Sequence, residues 1–92
     1  MGSDNYLKKT RDFAHFSRAR TVAKAALTLA ERSQTFTESE KYCVIAEKAV
    51  QEYITIYQSS VMPYQSAITS LEALIDITRS RLRNKFTDMK IK

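Results

Sequence analysis

The chain has 92 residues, a net charge of +5, 43% hydrophobic residues and 27% charged residues. That supplies one small core, is too apolar for an intrinsically disordered chain, and gives an ordinary globular surface. Gly2 and Pro63 are the only glycine and proline, which argues against a sheet-rich fold, because hairpins and tight turns draw on glycine for positive φ.

The expectation is therefore an all-α fold in a single domain over residues 1–92. Its helices form a three-helix antiparallel (up-down-up) bundle that dimerisation could complete. Residues 5–33 read as helix one, with Ser3 or Asp4 as its cap. Phe13, Phe16, Ala19, Ala23, Ala26, Leu27 and Ala30 recur at three- and four-residue steps. The Ala/Leu-rich half from Val22 to Ala30 combines strong helix formers with small side chains that admit a close neighbour.

Ser33-Gln34-Thr35-Phe36 breaks the pattern, and Thr37-Glu38-Ser39-Glu40 reads as a capping box. Thr37 would accept from the Glu40 amide while Glu40 reaches back. Phe36 would then open a hydrophobic staple, with Tyr42 or the Lys41 stem as its partner. Helix two spans residues 38–59. Tyr42, Ile45, Ala49, Tyr53 and Ile56 form one row on it, with Cys43, Ala46, Val50, Ile54 and Tyr57 beside them. That apolar surface is wider than a surface helix needs, so helix two is expected between two neighbours, or between one neighbour and a partner.

Pro63 fits the first position of helix three, residues 63–86, with a kinked continuation of helix two as the alternative. Tyr64, Ile68, Leu71, Ile75, Leu82 and Phe86 form its seam, flanked by Ala67 and Leu74 and interrupted by Thr78. Residues 87–92 are expected to fray.

The charge is unevenly distributed. Six basic residues against Asp4 and Asp12 give +4 over residues 1–24. Six more against Asp88 give +5 over residues 79–92, and three against seven acids give −4 between. In an up-down-up bundle the two basic ends lie at opposite poles, about 30 to 40 Å apart. Cations in a last helical turn are also mildly stabilising in themselves.

Little in the chain suggests catalysis. His15 is the sole histidine and has no second ligand at helical spacing, so it reads as an edge-of-core residue between Phe13 and Phe16. Cys43 stands alone, which leaves no intramolecular disulfide, and a buried apolar role suits it better than a reactive one. A glycine-rich phosphate cradle is absent, and a helix-turn-helix would want shorter, steeply angled helices. No catalytic residue, metal, cofactor or small-molecule substrate is expected. Residues 1–20 are too polar for a signal peptide, and Ala25 to Ala30 is too short to span a bilayer. Tyr6 stands where a myristoylation signal requires Ser or Thr. The cytoplasm is the expected compartment, with membrane attachment disfavoured.

Ala46, Ala49, Tyr53 and Tyr57, following Leu27-Thr28-Leu29-Ala30-Glu31, are similar in Ala/Tyr spacing to TPR and MIT-type helical modules. The similarity covers Leu27 to Tyr57; the closing Pro of a TPR unit has no match at its set offset, and no family is assigned.

Two functions follow. One is a non-enzymatic protein-protein interaction module (an adaptor, small chaperone or inhibitor) that docks an apolar helical face on a partner or in a homodimer. Tyr6, Phe13, Phe16, Tyr53, Ile54, Tyr57 and Tyr64 are its contact candidates. The alternative is a nucleic-acid-binding accessory protein using Lys8, Lys9, Arg11, Arg79, Arg81, Arg83 and Lys85.

Overall fold

The computed structural model describes the backbone of residues 2–58 and 60–91, and the side chains of residues 7–58 and 60–87. Among them are three helices and no strand: α1 (Gly2–Arg32), α2 (Phe36–Ile56) and α3 (Gln65–Ile91). They pack as a small, narrow bundle measuring 64 × 17 × 15 Å. α2 touches both other helices, and its interface with α1 is the largest of the three.

One continuous core runs through the bundle. α1 contributes Phe16, Ala19, Ala23, Ala26, Leu27 and Ala30; α2 contributes Cys43, Ala46, Val50 and Tyr53; α3 contributes Ile68, Leu71, Ile75, Leu82 and Phe86. The alanines of α1 and Ala46 are the small members, and they let α1 and α2 approach closely along their length. Thr78 does not interrupt the α3 seam as expected. It is buried within that seam.

The helix ends differ from expectation for local reasons. α2 starts earlier, because Thr35 rather than Thr37 is the N-cap. Thr35 has extended backbone and its Oγ1 accepts from the Glu38 amide at 3.1 Å. The run Thr35-x-x-Glu38 fits a capping box two residues upstream of the expected one. Phe36 becomes the first helical residue instead of a staple, and its ring meets Phe86 of α3 edge-on at 6.1 Å. α1 ends without glycine: the Ser33 hydroxyl donates to the Leu29 carbonyl and the Ser33 amide to the Ala30 carbonyl.

α2 tightens into a turn at Tyr57, and α2 and α3 are separate helices. Pro63 does not begin α3. It precedes Tyr64, whose φ of 57° is left-handed and whose carbonyl accepts the first α3 hydrogen bond, from Ile68. A left-handed tyrosine costs about 1 to 2 kcal/mol. Its ring stacks on Phe16 at 4.6 Å and meets Phe13 edge-on, contacts that offset much of this. α1 begins at Gly2, before the expected Ser3 or Asp4 cap, whose side chains lie outside the described residues. α3 runs on to Ile91 instead of fraying after Phe86, since no glycine or proline interrupts residues 87–91.

Candidate functional site

Aromatic side chains gather where the α2–α3 connection crosses α1. Tyr53 is 1% exposed; its hydroxyl donates to the Pro63 carbonyl at 2.6 Å, tying α2 to the start of the connection's return. The Tyr57 hydroxyl donates to Asp12 Oδ1 at 2.6 Å, tying α2 to α1. Burial, with the Asp12 charge as the second cause, pushes the Tyr53 phenol up to about 12. Burial raises the Tyr57 phenol too, reinforced by its bond to Asp12.

This cluster accounts for most of the expected contact residues. Phe16, Tyr53 and Tyr57 are buried within the single chain, and Ile54 is half-buried against the core. Phe13 and Tyr64 remain partly exposed at the rim, and the Tyr6 side chain lies outside the described residues. α1 and α3 thus cover the Cys43, Ala46, Val50 and Tyr53 side of the α2 apolar surface and leave Ile45 and Ile56 exposed.

The C-terminal cations divide in two. Arg79 is half-buried and bridges two acids of α2, with Nη2 at 2.6 Å from Glu40 Oε1 and Nη1 at 2.8 Å from Glu47 Oε2. The hydrogen bond from Arg79 holds the Glu47 carboxyl below its ordinary range, and the same bond raises the guanidinium. Arg79 Nε is buried without a partner. Arg81 pairs with Glu31 of α1 at 2.6 Å. Arg83 and Lys85 stay exposed; Arg83 edges a cleft with Phe36 and Phe86, and Lys85 Nζ lies 5.3 Å from the Phe86 ring centre. On α1, Lys8, Lys9, Arg11, Arg18, Arg20 and Lys24 are exposed and take part in no ion pair among the described residues.

A groove of about 380 Å³ runs between α1 and α2. Ala19, Val22, Ile45, Ala49 and Ile56 give it an apolar floor, with the Tyr53 ring beneath. Arg18, Lys48, Glu52 and His15 edge it. Val22 and Ile45, inside their helices, are 38% and 39% exposed, and Ile56, the last residue of α2, is 53% exposed. Ile45, Ala49 and Ile56 were visible in the sequence as part of the wide α2 row. Their exposure was not, because a period alone does not tell which half of a wide stripe a neighbour covers. Val22, Arg18 and Lys48 were missed; the seven-residue repeats Arg11–Arg18 and Lys41–Lys48, each on one helix edge, were the available signal.

His15 sits half-buried at one end of the groove, edge-on to Tyr57. Cys43 is buried, and burial raises its thiol above the ordinary value. Among the described residues no three His, Cys, Asp or Glu side chains converge as a metal site, and no helix is long and apolar enough to cross a membrane. Comparison with protein-family models, curated proteins and solved structures finds no match to this chain.

Proposed function

We propose that this protein is a non-enzymatic interaction module, in the manner of an adaptor, small chaperone or inhibitor, that receives a helix of a partner protein between α1 and α2. The observation that carries this reading is the apolar groove itself: Val22 of α1 and Ile45 and Ile56 of α2 are partly exposed and line it together. Apolar surface concentrated in this way on a bundle marks an interaction site more often than scattered exposure does. The reading includes an antiparallel, up-down-up course. It draws support from Tyr57 meeting Asp12, Phe36 meeting Phe86 and Arg81 meeting Glu31. In that course α3 covers one flank of the α1/α2 pair and leaves the other for a fourth helix, completing a four-helix arrangement. A cytoplasmic setting is part of the proposal and rests on the free, buried Cys43.

The test is an NMR titration of the full chain with an amphipathic helical peptide whose flanking positions are all Gln. Shift changes centred on Val22, Ile45, Ala49 and Ile56, and abolished by Ile45→Asp, support docking in the groove. Saturating peptide that perturbs only α3, or nothing, overturns it.

A second reading, nucleic-acid binding, is favoured by one observation: the six α1 cations from Lys8 to Lys24 form no ion pair among the described residues. Arg79 and Arg81 weaken it, being engaged with Glu40, Glu47 and Glu31. It predicts complexes that dissociate steeply as salt rises. A duplex that shows no gel shift even at low salt excludes it.

A further inference from the structure

We infer that the occupant of the α1/α2 groove is an amphipathic helix whose apolar stripe is flanked by Asp or Glu; this rests on the docking function proposed above and adds the chemistry of the partner.

Charge along the groove's edges points to this occupant. On α1, Arg11 and Arg18 stand two turns apart, with Val22 and Leu29 continuing the same edge toward its C-terminal end. On α2, Lys41 and Lys48 stand two turns apart beside Ile45. All four cations are exposed, and none takes part in an ion pair among the described residues. Two acids, Glu38 and Glu52, share this flank of α2 and match its two lysines; with half-buried Asp12 on α1, which accepts from Tyr57, four cations face three acids, and the surplus lies on the α1 edge. The acids that would have balanced the charge, Glu31, Glu40 and Glu47, are drawn onto Arg79 and Arg81. What remains is an apolar floor between a basic rail on α1 and a mixed rail on α2.

Each kind of occupant meets this pattern differently. A second copy related by a two-fold axis would set the same surplus of cations against itself. A nucleic-acid backbone would satisfy the rails but leave Val22, Ile45 and Ile56 facing water. An acid-flanked amphipathic helix satisfies both, placing its stripe on the floor and its carboxylates beside Arg18 and Lys48. From Ile45 to Ile56 the floor is about 16 Å long, room for a helix of about three turns.

The experiment uses fluorescence anisotropy on the full chain with three labelled helical peptides of about 16 residues. They share one Leu/Ile stripe and differ only in carrying Glu, Gln or Lys at the flanking positions. The Glu peptide is expected to bind tightest and the Lys peptide at least about tenfold more weakly, since exposed pairs each contribute a few-fold and several change sign together. High salt should compress the difference. The double variant Arg18→Glu/Lys48→Glu should reverse the order, and Lys48→Gln alone should weaken the Glu peptide a few-fold, with helicity checked by circular dichroism. If all three peptides bind alike, the acidic preference is overturned while groove docking stands. If none binds, both readings fail together. A DNA duplex that displaces the Glu peptide, and whose own binding is lost in Arg18→Glu/Lys48→Glu but unchanged in Ile45→Asp, reassigns the rails to nucleic acid and overturns the inference. So does a dimer, seen by sedimentation equilibrium without peptide, that Ile45→Asp dissociates.

Discussion

α2 has two flanks, and they are finished in opposite ways. Toward α3, Glu40 and Glu47 close on Arg79, and Val50 and Ile75 line a cleft whose other walls are Glu47, Gln51, Glu72 and Asp76. Away from α3, Ile45 and Ile56 stand exposed between Arg18 and Lys48. Two of the four acids of α2 are thus spent on the covered flank, and both of its lysines are left on the open one beside Glu38 and Glu52. A net charge of +5 spread evenly would not discriminate between partners; the same charge sorted by flank does.

The sharpest way to break this comparison is to truncate a residue on each side of the boundary. Tyr53→Ala removes a ring that is 1% exposed, packs edge-on against Phe16 and holds the Pro63 carbonyl. Its expected cost is about 3 to 5 kcal/mol in urea unfolding, as for other large core aromatics. Ile45→Ala, one helix face away, should cost less than about 1 kcal/mol. Similar costs for the two would mean that the open flank is part of the core.

The next effect is electrostatic. Arg79→Leu leaves Glu40 and Glu47 facing each other without their cation, at an expected cost of about 1 to 3 kcal/mol, between exposed and fully buried pairs. Because the folded-state Glu47 carboxyl lies below its ordinary 4.5, its contribution is complete above that value and fades as pH falls through the folded-state value. Wild-type stability should therefore drop on acidification by more than that of Arg79→Leu. Parallel acid profiles would remove the clamp from the account of the covered flank.

Tyr57→Phe tests the tie between α1 and α2, with an expected loss of about 1 kcal/mol, since Asp12 is half-buried and regains water. The sign with pH runs the other way from Glu47. A phenol whose folded-state value is raised contributes fully below 10 and loses that contribution as pH rises through the folded-state value. Alkaline unfolding followed by phenolate absorbance should be less steep in Tyr57→Phe than in wild type, with Tyr53 titrating near 12 on its own account.

The contrast between flanks also explains what was legible in the sequence. Alanine and aromatic periodicity fixed three helices and most of the core, because a stripe such as Phe16-Ala19-Ala23-Ala26-Ala30 has one natural burial. The helix ends were misplaced by about two residues wherever two cap candidates compete, as Thr35 and Thr37 do. Pro63 misled for a different reason: the left-handed turn at Tyr64 is stabilised by Phe16 and Phe13, which are far away in the chain. The site was harder. The bulky tyrosines Tyr53 and Tyr57 attracted the contact assignment, yet their size is what the fold uses to join its helices. Arg79 and Arg81 read as free charge, and only packing reveals Glu40, Glu47 and Glu31 as their partners.

The smallest effect on stability is expected to come with the largest effect on binding, and that separation is the final test of the two flanks. Ile45→Asp places a carboxylate on the open floor, at a residue already 39% exposed, so water solvates the charge and the fold should lose less than about 0.5 kcal/mol. The same carboxylate would sit in the middle of a docked apolar stripe, dehydrated and opposite no cation of the partner, which costs several times as much. Ile75→Asp on the covered flank inverts the ratio: the residue is 3% exposed within the core, and its variant should unfold before any binding is measured. A variant at Ile45 that keeps its melting curve and binds an amphipathic helix as well as wild type does would show that exposed apolar side chains on α2 are ordinary surface, and the distinction between its flanks would then concern stability alone.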